Sequence, residues 1–397
     1  MRDPQMKPLE SITVLEFSTM ITASLAAMMM AEQGARVIKV EPIGMGDPMR
    51  YLGARKGDVS ALFANCNRGK ESLRLDLQTE EGQDVIRRLM SEVDVLVHNF
   101  RPGVMDKLNL GSESLRALNP RLIYCAISGF GTEGPLSGAA AYDPMIQAHA
   151  GIAATQGREG EPVFMKTLMC DKITGYTACQ AITSALFMRE RTGEGQHIDL
   201  SMLDSSLFFM FLDGFQNHTL LAEDHERGPL LVDFMYAPWP ASDGALTISC
   251  GNYETQARFL NAIGMSHLLE DDRFDTYQKQ LKNIVAFREM VREACCVHTA
   301  DELVRLLRAA DVPCAKCLSR DEVIAQEQVL ACCTLDTYEH PVVGELRRVL
   351  SPPKFGGERL SPASGAPTHG EHTDSVLRSF GYSDSELIRL RENGAVG

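Results

Sequence analysis

Ile12-Thr-Val-Leu-Glu-Phe17, Thr22-Ala-Ser-Leu-Ala-Ala-Met-Met-Met-Ala-Glu-Gln-Gly34 and Arg36-Val-Ile-Lys-Val-Glu41 follow one another near the start of the chain. The first is an apolar run of strand length. The second is a helix-length apolar stretch that Gly34 ends, and the third is another strand-length run. Strand, helix and strand in that order form a βαβ unit, the connection that parallel strands require. The alternation continues. Ser72-Leu-Arg-Leu-Asp-Leu77 alternates apolar and polar residues at period two, and Thr79 caps an amphipathic helix over 80–93. Asp94-Val-Leu-Val-His98 and Leu122-Ile-Tyr-Cys-Ala-Ile127 have the character of buried strands. A long helix is expected over 172–190, then a strand at His197-Ile-Asp-Leu-Ser201. This pattern predicts an α/β fold with a parallel sheet covered on both faces.

The pattern changes near Leu203. Residues 203–221 form an aromatic-rich helix in which Phe208, Phe211 and Phe215 share a face, the usual mark of core packing. The stretch 225–240 contains Pro229, Pro238 and Pro240 and has the composition of a connection. A second unit over 241–330 should hold a strand at 245–250, helices at 253–263, 280–295 and 300–310, and a strand near Cys314. The Pro/Gly/Ser-rich stretch 351–372 is expected to be extended and linker-like, and a last amphipathic helix is expected at 374–380.

At 397 residues, 44% apolar and 23% charged, the chain has the composition of a folded soluble protein with a large domain and at least one smaller one. Its 39 basic and 53 acidic residues leave a net charge of −14, which disfavours general binding of nucleic acid or of an anionic membrane. The apolar run 20–31 is 12 residues long, short of the roughly 20 that a membrane span needs, and no signal-peptide pattern is present. Eleven cysteines, an odd number, fit reduced thiols and a cytoplasmic setting. Cys314 and Cys317 have CxxC spacing but no matching second pair, so no metal site is expected.

Three features carry candidate chemistry. Gly129-Phe-Gly131-Thr-Glu-Gly134 matches GxGxxG, but Pro135 and Gly138 delay the helix that a dinucleotide site requires. A glycine turn at a strand's carboxyl end, close to a non-redox ligand, is the better reading. The segment 50–74 carries Arg50, Arg55, Lys56, Arg68, Lys70 and Arg74 against Asp58 and Glu71. That local excess of four positive charges suits a polyanion such as a nucleotide with several phosphates. Asp171 stands directly before the helix 172–190, either as its cap or as a carboxylate beside the glycine turn. Tyr142-Asp143-Pro144 carries the same pair of readings, with Asp143 capping the helix that Pro144 opens.

Taken in order and spacing, these pieces resemble the class III CoA-transferases, the family of formyl-CoA transferase, carnitine CoA-transferase and α-methylacyl-CoA racemase. The resemblance rests on Gly34-Ala-Arg-Val-Ile-Lys-Val-Glu41, Asn67-Arg-Gly-Lys70 with Leu75-Asp-Leu77, and Asn99-Phe-Arg-Pro-Gly-Val-Met-Asp-Lys107. It continues through Asn119-Pro-Arg-Leu-Ile-Tyr124, Ser128-Gly-Phe-Gly131 and Arg191-Thr-Gly-Glu-Gly-Gln196. It implies that Asp171 is the nucleophilic carboxylate. It places CoA contacts on Leu75, Asp76, Leu77 and Gln78, on Asn99 and Phe100, on Lys107, and on Ser128, Gly129 and Phe130. It further implies a Rossmann-like large domain over 1–205, completed by about 370–397. A connection would span 206–240, a small α/β domain 241–330 and a return linker 331–369, with two ring-like chains interlocked as a homodimer. The substrates would be an acyl-CoA thioester and a small carboxylic acid, with no permanently bound cofactor.

Racemase members carry a His-Asp pair after the glycine turn, and this chain has Tyr142-Asp143. An ordinary tyrosine, with a pKa of about 10, is a poor base at neutral pH beside a histidine at about 6.5. CoA transfer through an aspartyl anhydride and an aspartyl-CoA thioester is therefore expected over its alternative, α-proton exchange. A Gln that some formate and oxalate transferases carry falls on Ile21, an Arg that many members carry falls on Pro42, and the covering glycine-run loop has no counterpart, Gly251 being the nearest glycine. These departures point to an acid other than formate or oxalate.

Overall fold

The computed structural model describes residues 6–157, 160–228, 237–362 and 364–397. The opening unit is β1 (Thr13–Phe17), α1 (Thr22–Glu32) and β2 (Arg36–Glu41), with β1 and β2 paired in parallel. It continues through β3 (Lys70–Arg74), α2 (Glu80–Leu89), β4 (Val95–His98) and β5 (Ile123–Ser128). Then come α3 (Asp143–His149), α4 (Met169–Thr192), β6 (His197–Ser201) and α5 (Met202–Gly214). The six strands form one parallel sheet in the order β3-β2-β1-β4-β5-β6. The direction of winding reverses between β1 and β4. In doubly wound sheets the crevice outside the strands' carboxyl ends at such a switch point is where ligands sit.

Period-two alternation sends strand side chains into two cores. Leu15, Ile38, Leu73, Leu96 and Tyr124 pack on one face beneath α2 and the chain's end. Val14, Val37, Val95, Ile123 and Cys125 pack on the other, against α1 and α4. The chain returns to the first face through helices Thr373–Ser379 and Asp384–Glu392, and Asp76 donates its N–H to Ala395 O at 2.9 Å. The second of these helices was not expected from the sequence, although Ser383 and Glu386 form a capping box that marks its start.

Residues Leu212–Cys332 form a separate unit, and Met1–Phe211 with Cys333–Gly397 form the other. The smaller unit has a three-stranded antiparallel sheet, with Gly244–Ile248 between Trp239–Ala241 and Cys314–Lys316. Helices Tyr253–Ala262, Ile284–Cys296 and Ala300–Ala309 bury Phe259, Phe287 and Leu303 in its core. The helix expected over 280–295 is two, Tyr277–Lys282 and Ile284–Cys296. Part of the proline-containing connection, including Pro229, lies outside the described residues. At the start of 206–240 the helix expected over 203–221 is present as α5 and the short helix Gln216–Thr219. Residues 331–369 are not plain linker either: Leu335–His340 pairs with Gly344–Val349, and Lys354–Phe355 with Glu358–Arg359. Antiparallel pairing across tight turns satisfies backbone groups that a bare linker would leave to water. Phe208 and Phe211 are exposed on α5 rather than packed into a core.

The basic segment is reassigned by burial. Lys39, Lys70 and Arg50 are all fully buried. Lys39 Nζ lies 2.8 Å from Glu16 Oε1 and 2.9 Å from Asp47 Oδ2, and Lys70 Nζ lies 2.7 Å from Glu16 Oε2. Arg50 pairs with Glu41 at 2.7 Å, and Arg68 with Glu32 at 2.5 Å. Burial pushes the Glu16 carboxyl up, but Lys39 and Lys70 outweigh it and hold it at about 2. Four of the six cations read as an anion-attracting patch are thus Arg50, Arg68, Lys70 and a half-buried Arg74, and the first three balance internal carboxylates; only Arg55 and Lys56 are exposed. A buried charge is tolerated when it is paired, which is why these residues stand opposite Glu16, Glu41 and Glu32.

Candidate active site

A cavity of about 370 Å³ opens where the switch point between β1 and β4 leads one to look. Its walls include the loop after β1, the turn after β4, the glycine turn after β5, the start of α3 and the first turn of α4. Asn99 locks the first two together. Its Nδ2 donates to Thr19 O at 2.7 Å, and its Oδ1 accepts from Thr19 N at 3.1 Å. The loop after β1 is also held from below: Lys39 donates to Ser18 O, and Met20 donates its N–H to Asp47 Oδ1 at 3.3 Å. Met20 adopts φ +63°, a left-handed conformation that costs a non-glycine residue energy and persists only where neighbours enforce it.

The glycine turn is a turn and no more. No helix opens within Gly129–Gly134; the next begins at Asp143. A Cβ at Gly129 would lie 2.0 Å from the Ala141 Cβ, so glycine there lets the strand end meet the returning chain. Gly131 donates its N–H to Ser128 Oγ at 3.1 Å.

Asp171 is not the cap of its helix. Leu168 flanks α4 and Asp171 lies inside the first turn. The Asp171 N–H is satisfied from outside, by Asp143 Oδ2 at 3.1 Å. Asp143 itself is flanked by Tyr142 and caps α4 across space rather than its own helix, while its Oδ1 accepts from Gln147 Nε2 at 2.6 Å. Freed from capping, the Asp171 carboxylate turns toward α1, and Thr22 donates its Oγ1–H to Oδ1 at 2.5 Å. Asp171 is 9% exposed and lines the cavity, and no hydrogen-bond donor takes Oδ2 among the described residues. Burial raises its pKa; the Thr22 hydrogen bond opposes that rise, and the nearby Asp143 charge adds to it.

Of the residues expected to form the site, Asp171, Asn99, Phe100, Ser128 and Gly129 line this one cavity. Leu75 does not: its side chain is buried in the core beneath α2, because period two turns it inward. Phe130 also packs away from the cavity, edge-on to His149 at 5.2 Å between ring centres. Asp76, Leu77 and Gln78 form the turn after β3, and Lys107 is exposed at the end of the helix Val104–Lys107. Sequence reasoning missed Thr22 and the Thr19–Asn99 clamp. The available signal was position: polar residues in the first βα turn of a doubly wound sheet face the crevice. Ile21, by contrast, is buried beside Met49 and Phe63. Among the described residues, no cluster of His, Cys, Asp and Glu could hold a metal ion. No described helix is long and apolar enough to cross a membrane.

Residues 9–373 match the family described as CoA-transferase family III. The chain belongs to CoA-transferase family III. It is 34% identical over 335 residues to the acetyl-CoA:oxalate CoA-transferase of Acetobacter aceti, covering 82% of this chain and 84% of that one. It is 32% identical over 389 residues to the succinate–glutarate CoA-transferase of Agrobacterium fabrum, covering 93% and 95%. Among solved structures it is similar to a CAIB/BAIF family protein from Brucella suis. The TM-score is 0.84 at 32% identity, over 95% of this chain and all of that one. This family III chain is an enzyme of the CoA-transferase class, and the relatives' names do not favour α-proton exchange.

Proposed function

We propose that this chain moves CoA from an acyl-CoA thioester to a free carboxylic acid, with Asp171 as the group that carries the acyl and CoA intermediates. One observation carries the reading: a carboxylate with one oxygen hydrogen-bonded and the other without a donor among the described residues faces the cavity at the switch point of the sheet. Asp171 Oδ2 attacks the thioester carbonyl carbon, the C–S bond breaks, and CoA leaves as a thiolate. No proton need be removed from the nucleophile, because a carboxylate is already ionised at neutral pH. The thiolate then attacks Cγ of Asp171 in the mixed anhydride. The donor acid departs as a carboxylate and an aspartyl-CoA thioester remains. The acceptor carboxylate attacks that Cγ, releasing the thiolate, which takes the acceptor's acyl carbon and frees Asp171.

Arg50, Arg68 and Lys70 balance internal carboxylates and are not offered to CoA's phosphates. Arg101, which lines the cavity, and Lys107 are the cations this reading assigns to them. Leu207, Phe208 and Phe209, exposed along α5, support a second copy of the chain as the partner that covers them. Incubation with succinyl-CoA, a hydroxylamine quench and peptide mass mapping should place a hydroxamate on Asp171; modification at a different residue, or at none, refutes the assignment.

The reaction needs the ionised carboxylate, so activity falls as pH drops through the Asp171 pKa. Burial places that midpoint above the ordinary aspartate value of 3.8. A pH profile of kcat/KM should show its acid limb there, and a limb at or below 3.8 would contradict the burial assigned to Asp171.

A further inference from the structure

We infer that the Thr22 hydroxyl is a catalytic hydrogen-bond donor: it holds Asp171 Oδ1 as the non-attacking oxygen and stabilises the oxyanion that forms there when Cγ of Asp171 is attacked. The inference rests on the proposed role of Asp171 and adds a residue to it. Thr22 is 2% exposed and its Oγ1 lies 2.5 Å from Asp171 Oδ1, so the pair meets with little water between competing partners. Two features of the chain bring them together. Thr22 is the first residue of α1, directly after the pinned loop 18–21. Gly175 stands one helical turn beyond Asp171 on the same face of α4, and a Cβ there would lie 2.9 Å from Thr22 O and 3.1 Å from the Leu25 Cβ. The absent side chain lets the two helices approach until the hydroxyl reaches the carboxylate.

Three backbone N–H groups at the glycine turn and the head of α4 already have partners. Gly131 N–H goes to Ser128 Oγ, Asp171 N–H to Asp143 Oδ2, and Lys172 N–H to Leu168 O. The chemistry makes the Thr22 position matter twice. In the free enzyme the hydroxyl fixes which oxygen attacks. When the CoA thiolate attacks the anhydride at Cγ, or the acceptor attacks the aspartyl thioester, the electron pair of the Cγ–Oδ1 double bond moves onto Oδ1. The Thr22 O–H is directed at that oxygen. The pair returns as the leaving group departs, and the threonine keeps its proton throughout. A donor aimed where charge develops stabilises the transition state more than the ground state.

Thr22→Val keeps the shape of the side chain and removes the donor; Thr22→Ser keeps the donor. Loss of a single oxyanion donor costs roughly 10²–10³-fold in kcat. Thr22→Val should lose that much kcat with CoA affinity little changed, while Thr22→Ser stays within about tenfold of the parent. The acid limb of kcat/KM should also move up in Thr22→Val, because a hydrogen bond to the ionised form is gone. Equal losses in both variants, or a Thr22→Val enzyme with parental kcat, would overturn the inference. Mass mapping of the parent enzyme separates the two readings: a hydroxamate on Asp171 with an active Thr22→Val sinks only the threonine's role, whereas no adduct on Asp171 in the parent sinks the proposed function.

Discussion

Asp171→Asn should abolish CoA transfer while CoA still binds. The amide is nearly isosteric and can occupy the same space at the head of α4, so the cavity walls remain. It carries no negative oxygen to attack a thioester, and an amide cannot form the anhydride. Residual turnover should be at least about 10⁴-fold below the parent, the scale seen when a covalent nucleophile is lost. Thr22, which donates to Oδ1 in the parent, can still donate to the amide oxygen. Isothermal titration with CoA, run beside a coupled transfer assay, reads both quantities on one preparation. Near-parental transfer would remove Asp171 from the mechanism. A loss of CoA affinity as large as the loss of turnover would reassign the residue to holding the site together.

Lys39→Met should destabilise the larger unit by about 3–5 kcal/mol, the usual result of breaking a buried ion pair from one side. Methionine fills nearly the same length without charge. Asp47 would then keep only the backbone N–H groups of Met20 and Met49, and Glu16 would keep Lys70 and two serine hydroxyls. Both carboxylates are almost wholly buried, so the lost charge cannot be replaced by water without opening the core. The expected signature is a lower denaturation midpoint of the larger unit's transition. Activity should fall too, since Lys39 also donates to Ser18 O in the loop that leads to Thr22. A change below about 1 kcal/mol would mean that Lys39 does not neutralise these two carboxylates in the folded chain.

The Lys39 cluster marks where sequence reasoning stops. From the sequence, the cations between 50 and 74 form a block of like charge. In the fold, Lys70 lies 2.7 Å from Glu16 although 54 positions separate them by number, and Arg50 meets Glu41 across the end of β2. A one-dimensional count cannot assign those partners, because pairing of strands, not chain proximity, sets who is near whom. The register of β1 on β2 sets Glu16 directly opposite Lys39.

Asp171 shows the same division within a single residue. Its location at a helix start was legible, since apolar spacing along 172–190 and the preceding turn residues report a local conformation. Its orientation was not. Whether an aspartate there caps its own helix or faces a cavity depends on whether another group satisfies the free N–H, and here Asp143, 28 positions away, does so. Leu75 and Phe130 were matched to a family's ligand contacts; in the fold Leu75 is buried in one core and Phe130 is partly buried against the other.

The chain's own pattern determined the alternation of strand and helix, the parallel sheet and the existence of a second unit. Those follow from apolar periodicity and turn chemistry, which act within a dozen residues. Tertiary structure alone decided which charges face inward and which hydroxyl meets the Asp171 carboxylate. Thr22 and Asp171 are 149 positions apart, and their contact exists because Gly175 has no side chain to hold two helices away from each other.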